Sequence, residues 1–231
     1  MKSEMIWLCG DTHGSLDIDK VEEFFEALEC EQKVTKEDYL IILGDAGVCW
    51  GDEDRDDEVQ EILHNLPCTV LWLDGNHENF DKIEGFPVEE WHGGKVQYIK
   101  NDIIHLMRGQ IYEIQGKSFF VFGGGYSIDK HWRIPYVSWW PQEMPLEEEY
   151  EEGLSNLEKV NFKVDYVLSH TCPGHIAHLL VADVLPGEEE LQNYFDDLSQ
   201  KLDFDMWYFG HWHMDQSEGK YRCLWYDIVE V

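Results

Sequence analysis

The chain's 231 residues suffice for one large α/β domain, and its 10 Trp, 11 Tyr and 11 Phe within a 43% hydrophobic total exclude disorder as the main state. Seventeen basic against 48 acidic side chains leave a formal net charge of −31, a field that repels nucleic acid and anionic lipid. A nucleic-acid partner is therefore disfavoured, no membrane partner is expected, and residues 1–231 are read as a single domain.

The first apolar run, residues 5–9, has the length of a strand and falls far short of a secretory or membrane-spanning segment, which predicts a cytoplasmic protein. Ile18, Val21, Phe24, Phe25 and Leu28 follow at helical spacing, with Asp19 and Glu22 placed as an N-cap and its partner three positions on. Strands are predicted over 39–43 and 69–73, with a helix marked by Val59, Ile62, Leu63 and Leu66 between them, so the chain opens as βαβαβ. These runs lack strict alternation, as strands buried on both faces do. From 95 to 122, short segments broken at Asn101-Asp102, Arg108-Gly109 and Gln115-Gly116 predict antiparallel strands, the last over 119–122. A helix through Tyr150, Leu154, Leu157 and Val160, a strand over 166–168, a helix through Leu191, Tyr194, Phe195, Leu198 and Leu202, and a strand over 206–209 come next. A hairpin around Glu218-Gly219 closes the chain. Acidic runs at 52–58, 147–152 and 188–190 lie near helix starts and read as solvated, dipole-favoured side chains. The six cysteines contain no C-x-x-C pair, and Cys9, Cys68 and Cys223 read as buried reduced thiols.

Five strand-like runs end in glycine or serine followed by groups that bind metals: Gly10-Asp11-Thr12-His13, Gly44-Asp45, Gly75-Asn76-His77-Glu78, Ser169-His170 and Gly210-His211-Trp212-His213. In a mostly parallel sheet the carboxyl ends of the strands share one edge, so these groups converge although some lie 200 positions apart. Asp11, His13, Asp45, Asn76, His170, His211 and His213 are too many for one ion. Their mixture of imidazole, carboxylate and amide fits two divalent transition metals, Mn, Fe, Ni or Zn, with Asp45 as the natural bridge. It excludes an all-oxygen calcium site, and the absence of thiolate argues against structural zinc. Such a pair of ions serves hydrolysis by direct attack of a shared water, without a phosphoenzyme. No nucleophile elbow is present, and Gly123-Gly124-Gly125 lacks the Lys-Ser/Thr of a phosphate-binding P-loop.

The ordered blocks resemble the calcineurin-like metallophosphoesterase superfamily, whose motifs run D-x-H, G-D, G-N-H-D/E, H and G-H-x-H in the same order, here from Asp11 to His213. The resemblance implies a four-layer α/β/β/α sandwich with a dinuclear site at the strand ends. It implies that Asp11, His13, Asp45 and His213 hold one metal and Asp45, Asn76, His170 and His211 the other. It further implies that His77 contacts the scissile phosphate and assists the leaving group, with Glu78 placed to orient it. Gly44-Asp45 runs into Ala46-Gly47-Val48 where the phosphoprotein phosphatase branch continues to a phosphate-gripping Arg, which disfavours that branch. The stretch from Ser127 to Glu143 resembles bacterial members of the superfamily. The loop from Gly123 to Glu143 that contains it is expected to fold over the metals, with Arg133 as the leading phosphate contact and Trp139 stacking on substrate. The expected activity is metal-dependent hydrolysis of a phosphomonoester or phosphodiester carried by a small molecule, nucleotide or phosphopeptide. A nuclease of the same fold is the alternative, and the net charge weighs against it. A non-catalytic metal-binding scaffold is a second alternative, disfavoured because every ligand position and His77 are filled.

Overall fold

The computed structural model describes residues 5–51, 53–181 and 187–231. The first half of the chain forms β1 (Ile6–Cys9), α1 (Asp19–Glu29), β2 (Tyr39–Ile42), α2 (Glu53–Asn65), β3 (Thr69–Trp72), α3 (Phe80–Ile83), β4 (Val88–Trp91), β5 (Gly94–Lys100), β6 (Ile103–Leu106) and β7 (Gln110–Ile114). The second half forms β8 (Lys117–Phe122), α4 (Glu147–Lys159), β9 (Tyr166–Ser169), α5 (Gly174–Leu180), α6 (Glu189–Ser199), β10 (Met206–Phe209), β11 (Gln216–Glu218), β12 (Tyr221–Cys223) and β13 (Val229–Glu230). One sheet has the order β13-β1-β2-β3-β6-β5-β4 and the other β11-β12-β10-β9-β8-β7.

Three apolar layers account for the stacking. Trp7, Leu40, Ile42, Val70 and Trp72 turn outward from the first sheet onto Val21 and Phe25 of α1 and Val59 and Leu63 of α2. Their strand neighbours Ile6, Leu8, Ile41 and Leu71 turn the other way and meet Phe119, Val121, Leu168 and Tyr208 of the second sheet. Phe120, Phe122, Val167 and Trp207 face outward from that sheet onto Tyr150 and Leu157 of α4 and Leu191, Phe195 and Leu198 of α6. Both sheet faces are covered, so the central strands carry apolar side chains without alternation, each worth roughly 1.5 to 3 kcal/mol on burial. The order is helices, sheet, sheet, helices, as the family resemblance implies.

Register sets where the loops emerge. Cys9 pairs with Ile42 and Ile42 with Trp72, so β1, β2 and β3 run parallel and end flush. In the other sheet Phe122 pairs with Ser169 and Ser169 with Phe209, which brings β8, β9 and β10 to a common end.

Local expectations are corrected at two places. Asp19 does not cap α1: the residue before it, Ile18, is already helical and no side-chain cap bond forms, because a 3-10 turn over Gly14–Leu16 leads almost directly into the helix. Asp19 and Glu22 instead lie in the first turn, where the helix dipole favours their charge. The acidic runs are not uniformly solvated either, since Asp56 and Glu188 are buried. Asp56 accepts from the Trp50 and Gly51 amides and pairs with Lys82 at 2.6 Å. All six cysteines are unpaired, with Cys9, Cys68 and Cys223 buried. Among the described residues no helix is long and apolar enough to cross a membrane.

Candidate metal centre

Backbone and side-chain hydrogen bonds tie the strand-end loops into a ring. His13 N donates to Asp45 O at 2.7 Å, and His77 N to Asp45 Oδ1 at 2.7 Å. His170 Nδ1 meets Leu43 O at 2.8 Å, Gly210 N donates to His170 O at 2.9 Å, and His211 N closes the circuit on Asp11 Oδ2 at 2.9 Å. The approach is close enough to demand glycine: a Cβ at Gly44, whose φ is 89°, would stand 2.2 Å from the His170 ring. His13, Asp45, His211 and His213 themselves have φ of 45°, 50°, 66° and 47°, a left-handed backbone that ordinary residues adopt only where surrounding contacts impose it.

The ligand atoms gather in a way that direct hydrogen bonding does not explain. Asn76 Oδ1 lies 3.0 Å from both His170 Nε2 and His211 Nδ1, and those two nitrogens are 3.2 Å apart. Asp45 stands 3.4 Å from His170 Nε2 through Oδ1 and 3.4 Å from His13 Nε2 through Oδ2. Donor atoms placed ~2.1 Å from a transition metal are separated from one another by ~3.0 to 3.4 Å, so these spacings are those of a coordination polyhedron. Asp11, His13 and His213 form one group of potential ligands and Asp11, Asp45 and His170 another, so Asp11 joins both. Its Oδ1 is fully buried and has no hydrogen-bond partner among the described residues.

Outer partners fix the rings. His13 Nδ1 is 3.1 Å from Asp17, His170 Nδ1 is on the Leu43 carbonyl, and His211 Nε2 is 3.3 Å from Glu188. Each imidazole thereby turns its other nitrogen to the cluster, the arrangement typical of metal-binding histidines. Ser127 Oγ accepts from Asn76 Nδ2 at 3.2 Å, which points the amide oxygen inward. Burial and the neighbouring Asp45 charge push the Asp11 carboxyl well above the usual range. Asp45 opposes its own burial with His170 and His13 beside it and is held far below that range, while burial depresses His170 to about 4. Against its burial, His13 is raised to about 9 by Asp45 and Asp11, and a divalent cation would take over from that proton in relieving the repulsion of the two adjacent buried carboxylates.

The expected substrate groups divide differently. Both ring nitrogens of His77 lie near Arg133, Nδ1 3.1 Å from Nη1 and Nε2 3.2 Å from Nη2. Because the in-plane hydrogen-bonding directions of the two ring nitrogens diverge, a guanidinium equidistant from both lies across the ring face. Burial, reinforced by Arg133, lowers the His77 pKa. Glu78 does not orient His77: its Oε1 accepts from Ala46 N at 3.0 Å, and Oε2 has no partner among the described residues. Consecutive side chains leave this turn in opposite directions, His77 toward a cavity of about 400 Å³ and Glu78 into the interior beneath the Asp45 loop. Trp139 does not wall that cavity; it is half-buried with Lys130 Nζ 5.0 Å from its ring. Trp50, whose ring lies 5.5 Å from that of His77, takes the position beside the site.

Sequence reasoning missed Glu188, which also accepts from Tyr126 N, Thr171 Oγ1 and Gln192 Nε2 and so joins three segments around His211. Its place in an acidic run at a helix start concealed it. Asp17 carried a usable signal, four residues beyond His13.

Two sheets flanked by helices, with aspartates and histidines gathered at the strand ends, define a class, that of metal-dependent phosphoester hydrolases. Residues 5–215 match the calcineurin-like phosphoesterase family, and the chain belongs to it. Among solved structures it is similar to the phosphopantetheinyl hydrolase of Mycobacterium tuberculosis, with 17% identity and a TM-score of 0.51 over 98% of this chain and 91% of that one. That likeness is one of fold. Nothing among curated proteins matches.

Proposed function

We propose that the chain hydrolyses the phosphoester of a small molecule by direct attack of water at a centre of two divalent transition metals. Asp11, His13, Asp45 and His213 hold one ion and Asp45, Asn76, His170 and His211 the other. The observation that carries this reading is the convergence of Asn76 Oδ1, His170 Nε2 and His211 Nδ1 within 3.2 Å, with the opposite nitrogen of each ring already engaged. The bound metals supply a nucleophile at neutral pH and neutralise the phosphoryl oxygens during in-line displacement.

The chain's own groups supply the remainder. His77 stands beside the ligand cluster, its ring centroid 5.7 Å from that of His13, and serves the leaving oxygen as proton donor. Arg133 steadies the His77 ring and offers its guanidinium to a non-bridging phosphoryl oxygen. Glu78 holds the amide that follows Asp45 and thus positions a ligand rather than the proton donor. The net charge of −31 favours a small substrate over a polyanion, and the fold likeness to a phosphopantetheinyl hydrolase agrees with a small phosphorylated molecule.

Purified protein is expected to bind close to two transition-metal ions and to lose turnover of an aryl phosphate when they are chelated. His77→Ala should keep the metals and lose about 10²-fold in kcat. Full activity after exhaustive metal removal overturns the metal reading, and metal content falling in step with rate makes His77 a ligand.

A further inference from the structure

A cavity of about 400 Å³ opens beside the metal centre, with His13, His77 and His213 forming its inner wall. That volume falls within the ~300 to 1,000 Å³ typical of small-molecule sites. The opposite walls come from outside the metal-binding motifs: the turn over Gly14–Leu16, the Gly47 to Gly51 stretch and α2. Trp50, Leu16 and Val59 supply their apolar surface.

Three observations give the Trp50 and Leu16 side of this space an apolar character, with Ser15 and Arg55 completing the lining. Trp50 is half-buried and held by edge-on contact with Trp140 at 6.0 Å, and Trp140 is itself anchored by its indole N–H on Asp81 at 2.9 Å. Leu16 is 74% exposed, so it contributes little to the core, yet it stands at the cavity's edge. The two acids on the wall are already engaged, Asp17 with His13 and Asp56 with Lys82 and two amides, so neither calls for a cationic or hydroxyl-rich ligand. A fixed indole beside an exposed leucine suits a planar aromatic group, which gains burial and offset stacking.

We propose that this cavity receives the leaving alcohol of the substrate and selects phosphomonoesters of flat aromatic alcohols, with Trp50 and Leu16 as the specificity-determining residues. This rests on the phosphoesterase reading above, in which His77 serves the departing oxygen. His77 lines the same cavity, so the alcohol attached to that oxygen lies between Trp50 and Leu16. Water adds to phosphorus, the bridging P–O bond breaks, and the departing oxygen takes up a proton from His77. Inorganic phosphate and the free aromatic alcohol result, and the proton released by the attacking water restores His77.

The test compares phenyl phosphate with 2-naphthyl phosphate, esters of similar leaving-group acidity that differ in aromatic area. The metal-loaded wild type is expected to favour the naphthyl ester by about tenfold in kcat/KM. Leu16→Glu and Trp50→Leu should bring that ratio near one with metal content unchanged, and Leu16→Met should restore it. A ratio unchanged in both Leu16→Glu and Trp50→Leu overturns the proposal. Titration of the metal-free protein with 2-naphthol, followed by the ligand's fluorescence, gives a second readout, in which Leu16→Glu should weaken binding about tenfold. Naphthol binding that Leu16→Glu weakens, without hydrolysis of either ester, upholds the cavity and removes the phosphoesterase reading. Hydrolysis of both esters with no preference, and naphthol binding indifferent to Leu16, removes the cavity and leaves that reading standing.

Discussion

Asp74 and Asn76 leave the end of β3 two residues apart, yet the buried clusters they join are satisfied to different degrees. Asp74 receives Arg108 Nε at 2.7 Å and faces His105 Nε2 at 3.2 Å. His105 passes to Gln97, whose amide donates to the carbonyls of Ile83 and Phe86, while Arg108 also reaches Glu149 and the Gln142 carbonyl. In this cluster charges are paired and the remaining hydrogen bonds end on backbone. The neighbouring cluster sets Asp11 beside Asp45, leaves Asp11 Oδ1 without a partner among the described residues, and holds several ligands in left-handed backbone. A network whose protein groups satisfy one another fixes the fold. One that they leave unbalanced is completed by a cation from outside.

Removing a member from each cluster tests that division, and the largest loss of stability belongs to the satisfied one. Arg108→Ala leaves the buried Asp74 with His105 alone beside it, Glu149 with the Leu146 amide, and the Gln142 carbonyl without its guanidinium donor. It is expected to cost about 3 to 5 kcal/mol in urea unfolding. The folded variant should still bind its metals, because Arg108 touches none of their proposed ligands. A loss under about 1 kcal/mol, or metal loss without destabilisation, would place Arg108 with the site instead.

Acid titration sharpens the same contrast with a smaller effect. Against the burial that would raise it, Arg108 and His105 hold Asp74 at about 2 in the fold, compared with an ordinary 3.8. The folded value lies below the unfolded one, so the contribution is fully present above about pH 4 and is lost as pH falls through about 2. It amounts to about 2 kcal/mol. Asp74→Asn should therefore be less stable than wild type at pH 6, with the gap narrowing by about that amount as pH drops from 5 to 2. A gap constant over that range would mean that Asp74 acts through shape and hydrogen bonding rather than charge.

The convergence of the proposed metal ligands was legible in sequence because glycine, strand end and candidate ligand fall side by side in the chain, as in Gly44-Asp45 and Gly75-Asn76. Strand ends converge by topology, so local order carried three-dimensional information there. The strands and helices followed from the apolar runs, and the four layers from the family resemblance alone. Glu188 was hidden because its partners Tyr126, Thr171 and His211 come from three distant segments, and nothing in a Glu-rich helix start marks which carboxylate turns inward. Glu78 was assigned to the wrong neighbour for a related reason, since adjacency to His77 does not say on which side of the turn each side chain leaves. Trp139 and Trp50 are indistinguishable as isolated tryptophans. Only the packing of the Gly47 to Gly51 stretch against α2 puts the second on a cavity wall.

Asp11→Asn makes the smallest change to the fold and bears most directly on the comparison. Its folded pKa is raised, first by burial and then by the Asp45 charge, so in the metal-free protein the ionised carboxylate works against folding at neutral pH. That penalty eases as pH falls and the group takes up its proton. Asparagine removes the charge permanently, and its carbonyl can still accept from His211 N, which lies 2.9 Å from Asp11 Oδ2. The metal-free variant is therefore expected to melt at the wild-type temperature or slightly above it. Metal addition should then separate the two proteins. At a free metal concentration about 100 times the dissociation constant, binding stabilises the wild type by about 2.7 kcal/mol, and most of that gain should vanish in the variant together with turnover. Thermal melts of both proteins with and without Mn²⁺ decide the matter. A metal-free Asp11→Asn protein destabilised by more than about 1 kcal/mol would put Asp11 in the same category as Asp74, a charge the fold itself requires.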